Sequence, residues 1–140
     1  MFLIDATDAR LKIPANEPVI DFIRRASPFA HSDVGNKLIE LGKVTTGAQI
    51  YCPSYRSCAY VVLHTEAQMI FAIALGQRQL VFRLPPDALA AGVEQGGQVY
   101  AAIGPDWLAI DAFQAGASDA MLRQWTEAAC RAATEPGRRP

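Results

Sequence analysis

The chain has 140 residues, with 13 Lys and Arg against 14 Asp and Glu and a net charge of −1. Its 51% hydrophobic and 19% charged residues are typical of a globular protein. They exclude disorder over most of the chain, because there is enough apolar surface to offset the entropy lost on folding. Since nucleic-acid-binding proteins usually carry a basic excess, the balanced charge argues against a nucleic-acid partner.

The length predicts a single domain, which we assign to residues 1–134, with residues 135–140 as a frayed tail rich in Pro, Gly and Arg. No apolar stretch approaches the length that a membrane-spanning helix needs. The segment Met1–Asp5 lacks the basic and long apolar regions of a signal peptide. Three cysteines, an odd number, favour reduced thiols and a cytoplasmic location.

The first part of the chain predicts two helices. Asn16 is a good N-cap for the first helix, which ends before Ser27-Pro28. The second helix begins at Ser32 or Asp33. Gly42 is predicted to end this helix, because a helix often terminates in a glycine with a left-handed conformation.

The middle of the chain predicts strands rich in β-branched and aromatic residues, at 48–52, 58–65, 69–75 and 79–84. The joint Glu66-Ala67 and the joint at 76–78 are short, which requires antiparallel neighbours. A short helix after Pro85-Pro86, strands at 98–103 and 107–112, and a helix from Ser118 to Ala133 follow. The order ααββββαββα predicts an α+β fold, with an antiparallel sheet of about six strands and helices packed on one face.

Alternation along the strands defines two faces of this sheet. The first face is wholly apolar and rich in alanine, as expected of a core. A two-residue joint at Glu66-Ala67 pairs Val62 with Phe71, and so predicts that Phe71 lies on the second face. That face would carry Tyr60, Val62, His64, Met69, Phe71, Ile73, Leu75, Gln79, Val81 and Arg83.

The second face is more apolar than an exposed face should be. We therefore expect it to be covered, by another part of the chain, by a second copy in a homodimer, or by a ligand. Its central residues Val62, Phe71, Ile73 and Val81 should be removed from water. Arg83 should lie at the rim, with its stem over Phe71 and its head in water or on an acidic partner.

The chain carries no recognised catalytic, metal-binding or phosphate-binding motif, and we predict no catalytic residue, metal ligand or cofactor. His64 is interpreted as a structural histidine at a strand end. Cys52 and Cys58 flank the loop at 53–57, and could approach disulfide distance if their strands pair. Without a CxxC motif, free cysteines that pack as small apolar residues are favoured, as they are for Cys130.

Two residues at the tip of that loop, Tyr55 and Arg56, are of types enriched at binding surfaces. With Tyr60, His64, Phe71 and Arg83 they form our set of candidate binding residues. The sequence predicts a non-catalytic binding or interaction module, and it indicates no particular small-molecule ligand. The alternative is an enzyme of unrecognised type that uses His64, Cys52 and Tyr55 in a cleft.

Five segments share a pattern with a known group of proteins: Ile70-Phe71-Ala72, Leu80-Val81-Phe82-Arg83, Asp87 to Ala91, Asp106-Trp107 and Leu122 to Ala132. Through them, residues 69–133 resemble the small bacterial proteins of the MmcQ/YjbR and TfoX N-terminal type. This resemblance implies an α+β domain closed by a terminal helix. Because DNA binding is proposed for some members, it also implies a DNA-binding module as a further alternative.

Overall fold

The computed structural model describes residues 11–26, 28–52 and 60–134. Within these residues the helices are α1 (Glu17–Ala26), α2 (Ser32–Lys43), α3 (Pro86–Glu94) and α4 (Asp119–Thr134). The strands are β1 (Gln49–Tyr51), β2 (Val61–His64), β3 (Ile70–Leu75), β4 (Gln79–Arg83), β5 (Gln98–Val99) and β6 (Trp107–Asp111). They form one antiparallel sheet in the spatial order β1-β2-β3-β4-β6-β5, which confirms the predicted α+β fold and its element order.

Local sequence signals fix most of the element ends. The side chain of Ser118 caps α4, because its Oγ accepts a hydrogen bond from the Met121 N–H at 3.1 Å. Strand β5 is shorter than predicted and ends at Val99. The chain turns there, because the N–H groups of Ile103 and Gly104 donate to the Tyr100 carbonyl.

Helices α2, α3 and α4 pack on the first face of the sheet. Gly42 allows α2 to approach closely, since a Cβ at this position would stand 2.7 Å from Cδ2 of Leu63. The buried residues of this first core include Val34, Leu38, Val61, Leu63, Met69, Phe71, Ala72, Leu80, Phe82, Leu108, Leu122, Trp125 and Cys130. The free thiol of Cys130 is thus a packing residue, as predicted.

The second face is covered by α1, so the prediction that helices pack on one face holds only for α2, α3 and α4. The buried residues of this second core are Val19, Ile20, Phe22, Ile23, Tyr60, Val62, Ile70, Ile73, Leu75, Val81, Ile103, Trp107 and Ala109. The predicted burial of Val62, Phe71, Ile73 and Val81 is confirmed, since none is more than 1% exposed. Because the chain covers this face itself, a homodimer through it has no open surface to use.

The turn between β2 and β3 has three residues, Glu66 to Gln68, instead of the predicted two, and it is closed by a hydrogen bond from the Thr65 N–H to the Met69 carbonyl at 2.9 Å. Gln68 adopts a positive φ of 75°, and its N–H donates to the Thr65 carbonyl at 2.9 Å. This is the geometry of a type I turn followed by a left-handed residue. Together with the bulge described next, this extra turn residue pairs Val62 with Ile73, and the predicted pairing of Val62 with Phe71 is wrong.

A β-bulge near the same joint reverses the alternation of β3. Leu63 pairs with Ala72 whereas His64 pairs with Ile70, so Phe71 is the extra residue. Phe71 therefore lies in the first core beside Ala72, and Ile70 lies in the second core under α1. Both residues are on the face opposite to the predicted one. The bulge adds one residue to β3, so each residue before it in this strand points to the other face of the sheet.

Asn16 connects this bulge to the start of α1. It is fully buried, and its Nδ2 donates to the carbonyls of Leu11 at 2.6 Å and Gln68 at 2.8 Å. Its Oδ1 accepts from the N–H of Ile70 at 2.8 Å. The predicted role of Asn16 as an N-cap is wrong, since its side chain serves the β2–β3 joint instead of the helix.

We expect Asn16→Ala to lower the free energy of unfolding by about 2–4 kcal/mol, because it leaves a buried N–H and two buried carbonyls without partners. Urea denaturation measures this loss. The control is Asn36→Ala on the exposed side of α2, which should change stability by less than about 0.5 kcal/mol. Equal, small losses for the two variants would contradict the role of Asn16.

Candidate functional site

The six candidate binding residues do not form one surface. Tyr55 and Arg56 lie outside the described residues. Tyr60 and His64 are 3% and 1% exposed, and Phe71 is in the first core. Because α1 covers the second face, Tyr60 contributes to packing within the chain. Only Arg83 of the described candidates is partly exposed.

Arg83 is held by partners from its own chain. Its Nε lies 2.9 Å from Oδ2 of Asp106, in the turn before β6, and its Nη1 lies 3.6 Å from Sδ of Met69. The predicted acidic partner thus exists and is Asp106. With a side chain only 15% exposed, Arg83 stabilises the sheet end and presents little surface to a ligand.

The residues of the predicted catalytic cleft are also separated. Nδ1 of His64 donates to the Thr65 carbonyl at 2.9 Å. His64 lies opposite Gln49 on β1, so alternation places Cys52, which follows β1, on the other side of the sheet. Cys52 is disulfide-bonded, so the expectation of a free thiol there is wrong. Cys58 lies outside the described residues.

The remaining free thiol is also a poor nucleophile. Burial raises the pKa of the Cys130 thiol, which disfavours the reactive thiolate. In the described ranges, no three or more His, Cys, Asp or Glu side chains stand close enough to share a metal ion. No helix among these residues has the length and apolarity to cross a bilayer.

The basic side chains of the described residues are spread over different elements, and many are paired with carboxylates. The ion pairs are Arg24–Asp21 at 3.9 Å, Lys37–Asp119 at 2.8 Å, Arg78–Asp111 at 2.9 Å and Arg83–Asp106 at 2.9 Å. Within the described residues, the charges of these four side chains are therefore balanced by neighbouring carboxylates.

A groove lies at the end of the sheet where β3 turns into β4. It has a volume of about 650 Å³ and is lined by His31, Asp33, Asn36, Gln77, Arg78 and Phe113, and we call it the turn-end groove. Gly76 begins the turn with a φ of +62°, a conformation that favours glycine. Its N–H donates to the Phe29 carbonyl at 2.6 Å and its carbonyl accepts from the His31 N–H at 2.7 Å. These bonds hold the start of α2 against the turn.

Asp111 organises the other wall of the turn-end groove. Its two carboxylate oxygens lie 3.0 and 2.9 Å from Nε of Arg78, and Oδ1 also accepts from the Phe113 N–H at 2.9 Å. The register Gln79↔Asp111 places these groups together at the ends of β4 and β6. The Arg78 hydrogen bond holds the pKa of Asp111 below its ordinary value, so this carboxylate stays charged at neutral pH.

Two cationic side chains stand over the ring of Phe113. Cζ of Arg78 is 5.4 Å and Nζ of Lys37 is 5.8 Å from the ring centroid. Lys37 is itself bonded to Asp119 and lowers the pKa of that carboxyl. The ring is therefore positioned, although it remains 40% exposed. Phe29, next to the groove, is 58% exposed.

Arg78 keeps part of its hydrogen-bonding capacity. Its bonds to Asp111 use only Nε, and within residues 11–26, 28–52 and 60–134 its Nη1 and Nη2 donate to no acceptor. Its side chain is 52% exposed. The terminal nitrogens of this guanidinium are thus available to a ligand.

The chain matches no protein-family model, no curated protein and no solved structure. The resemblance to the MmcQ/YjbR and TfoX proteins therefore stays a prediction, and the function has to be argued from the residues themselves. The turn-end groove cannot be recognised in the sequence, because its residues come from three distant segments, 31–36, 77–78 and 113. The one available signal was an aromatic residue, Phe113, directly after a predicted strand.

We expect Arg78→Gln to reduce stability at pH 7 by up to about 1 kcal/mol, because the pair with Asp111 is half exposed. The pKa of Asp111 in the folded protein lies below its ordinary value of 3.8. The stability that the Arg78–Asp111 pair contributes is therefore present above pH 3.8, and it is lost as pH falls through the folded pKa. Urea denaturation at pH 7 and at a series of pH values below 3.8 should thus show a difference from wild type that shrinks as pH falls. Arg24→Gln is the control. If Arg78→Gln loses as much stability below pH 3.8 as at pH 7, the assignment of the lowered pKa of Asp111 to Arg78 is contradicted.

Proposed function

We propose that the protein is a non-catalytic interaction module that binds a protein partner at the turn-end groove. The observation that carries the proposal is the exposure of Phe113 and Arg78 in one groove, with Phe29 exposed on the segment whose carbonyl is bonded to the β3–β4 turn. Phe29, Phe113 and Arg78 are 58%, 40% and, for its side chain, 52% exposed. Aromatic residues and arginine are the residue types that dominate the energetics of protein interfaces.

The rigidity of the groove supports the same proposal. Phe113 is held through its N–H by Asp111 and through its ring by Arg78 and Lys37. A ring that is already positioned loses little conformational freedom when a partner binds, so more of the contact energy appears as affinity. Exposed apolar side chains beside a concave surface also commonly mark a binding site.

The residues that line the groove do not favour catalysis. His31 and Asp33 are the acid–base groups among the lining residues, with Nδ1 and Oδ2 3.7 Å apart. The other four lining residues, Asn36, Gln77, Arg78 and Phe113, include no hydroxyl, thiol or amine nucleophile. A base without a nucleophile or a metal does not define a reaction, so a binding role fits these residues better.

The alternatives have weaker support. An enzyme that uses His64 and Cys52 would need both residues in one cleft, and DNA binding would need a continuous basic surface. A homodimer through the second sheet face has lost its support, because α1 covers that face. The predicted cytoplasmic location rested in part on reduced thiols, and the disulfide at Cys52 removes that part of the argument.

Selection of a random peptide library displayed on phage against the full chain tests the proposal. We expect Phe113→Ser to weaken the binding of selected peptides about tenfold or more, because it removes a central aromatic contact. The matched control is Val44→Ser, which removes an apolar side chain that is 51% exposed at the opposite end of α2. It should leave binding unchanged.

Two results would contradict the proposal. One is that no peptide is enriched over a blank surface. The other is that the enriched peptides bind the Phe113→Ser and Val44→Ser variants with equal affinity. Light scattering of the free protein distinguishes a second copy as the occupant, since a dimer through the groove should become a monomer in Phe113→Ser.

A further inference from the structure

We propose that the turn-end groove recognises a carboxylate that stands next to an apolar group on the partner. Arg78 and His31 would bind the carboxylate, and Phe113 would contact the apolar group. This inference rests on the proposed function and names the chemistry of the partner.

The guanidinium of Arg78 is the principal carboxylate-binding group. Asp111 occupies its Nε side, and Nη1 and Nη2 have no acceptor among the described residues. Arginine can bind a second carboxylate through these two terminal nitrogens in a bidentate arrangement. Asp111 also fixes the guanidinium, so little side-chain entropy is lost when the ligand binds.

His31 adds a second donor to the same groove. Its Nδ1 accepts a hydrogen bond from the Asp33 N–H at 3.1 Å and therefore carries no proton. In the neutral ring the proton must then be on Nε2, which makes that nitrogen a donor. The side-chain amides of Asn36 and Gln77 can each donate as well, so donors are the majority of the polar groups that line the groove.

The acidic residues around the groove favour a carboxylate over a phosphate. Asp33 lines the groove with a side chain that is 75% exposed, and Asp111 and Asp119 stand next to Arg78 and Lys37. These three carboxylates outnumber the two cations Arg78 and Lys37, so their net repulsion of a doubly charged phosphate is about twice that of a singly charged carboxylate, whose binding comes from the directed donors of Arg78 and His31. A single negative charge next to an apolar group therefore fits the groove best.

Three short peptides test this inference: acetyl-Ala-Ala-Phe with a free carboxylate, its C-terminal amide, and the amide of acetyl-Ala-Asp-Phe. Two-dimensional NMR spectra of the full chain follow the Nε–H of Arg78 and the N–H of Phe113 during each titration. We expect the free acid to bind about tenfold more tightly than its amide, because a charge-assisted hydrogen bond is lost in the amide. The third peptide distinguishes a side-chain carboxylate from a C-terminal one, and binding by either supports the inference.

Variants assign the effect to individual residues. Arg78→Gln should reduce binding of the free acid to the level of its amide. His31→Asn removes the Nε2 donor but keeps an N-cap, so it should weaken binding while α2 remains folded. The matched control is Arg24→Gln, whose side chain is 54% exposed and paired with Asp21 within α1, and it should change nothing.

The inference is overturned if the free acid and the amide bind equally, if neither perturbs the signals of Arg78 and Phe113, or if Arg78→Gln binds the acid as wild type does. Each of these results leaves the proposed function to be judged by the phage selection. If the partner has no carboxylate, its binding still depends on Phe113. If Phe113→Ser does not weaken binding, the turn-end groove is not the interaction surface, and the proposed function itself fails.

Discussion

The hydrogen bonds of Asn16 are the constraint on which the rest of the structure depends. A β-bulge leaves irregular backbone groups at the β2–β3 joint, and they are buried under the start of α1. Asn16 satisfies the Ile70 N–H and the Gln68 carbonyl there, and it also binds the Leu11 carbonyl. A buried backbone group without a partner costs about 1–3 kcal/mol, so these bonds determine where α1 can lie.

The position of α1 has consequences for function. Once α1 covers the second face and α2, α3 and α4 cover the first, the central strands are removed from water on both sides. Functional contacts then have to use loops and element ends, which is where binding residues usually occur on a rigid scaffold. The turn-end groove is such a place, because the β3–β4 turn, the start of α2 and the segment after β6 meet there.

The sequence predicted the elements well because the signals for them are local. Ser118 as a cap, the prolines before α3 and the glycine that begins the β3–β4 turn each act over a few residues. The error about Phe71 arose from two features, the bulge at Phe71 itself and the turn residue added at Gln68, which takes a positive φ that is more usual for glycine. Its conformation depends on Asn16, which is 52 residues away in the chain.

The candidate site was harder to predict than the fold. Apolar residues such as Val62 and Val81 were predicted to be buried and are buried, but the polar residues beside them are buried as well. A lone sequence does not show that Arg78 and Lys37 stand over the ring of Phe113, because these residues come from three separate segments. The disulfide at Cys52 likewise depends on how the chain folds, which residue spacing alone did not decide.

Native-state hydrogen exchange at the Ile70 amide tests most directly the claim that Asn16 fixes α1 over the sheet. If the claim holds, this N–H exchanges as slowly as the amides of Ile73 and Val81 in the paired strands, because it is released only when the whole structure unfolds. Exchange of Ile70 as fast as that of the exposed Gln77 amide would contradict the claim. It would mean that α1 separates from the sheet while the rest of the protein stays folded.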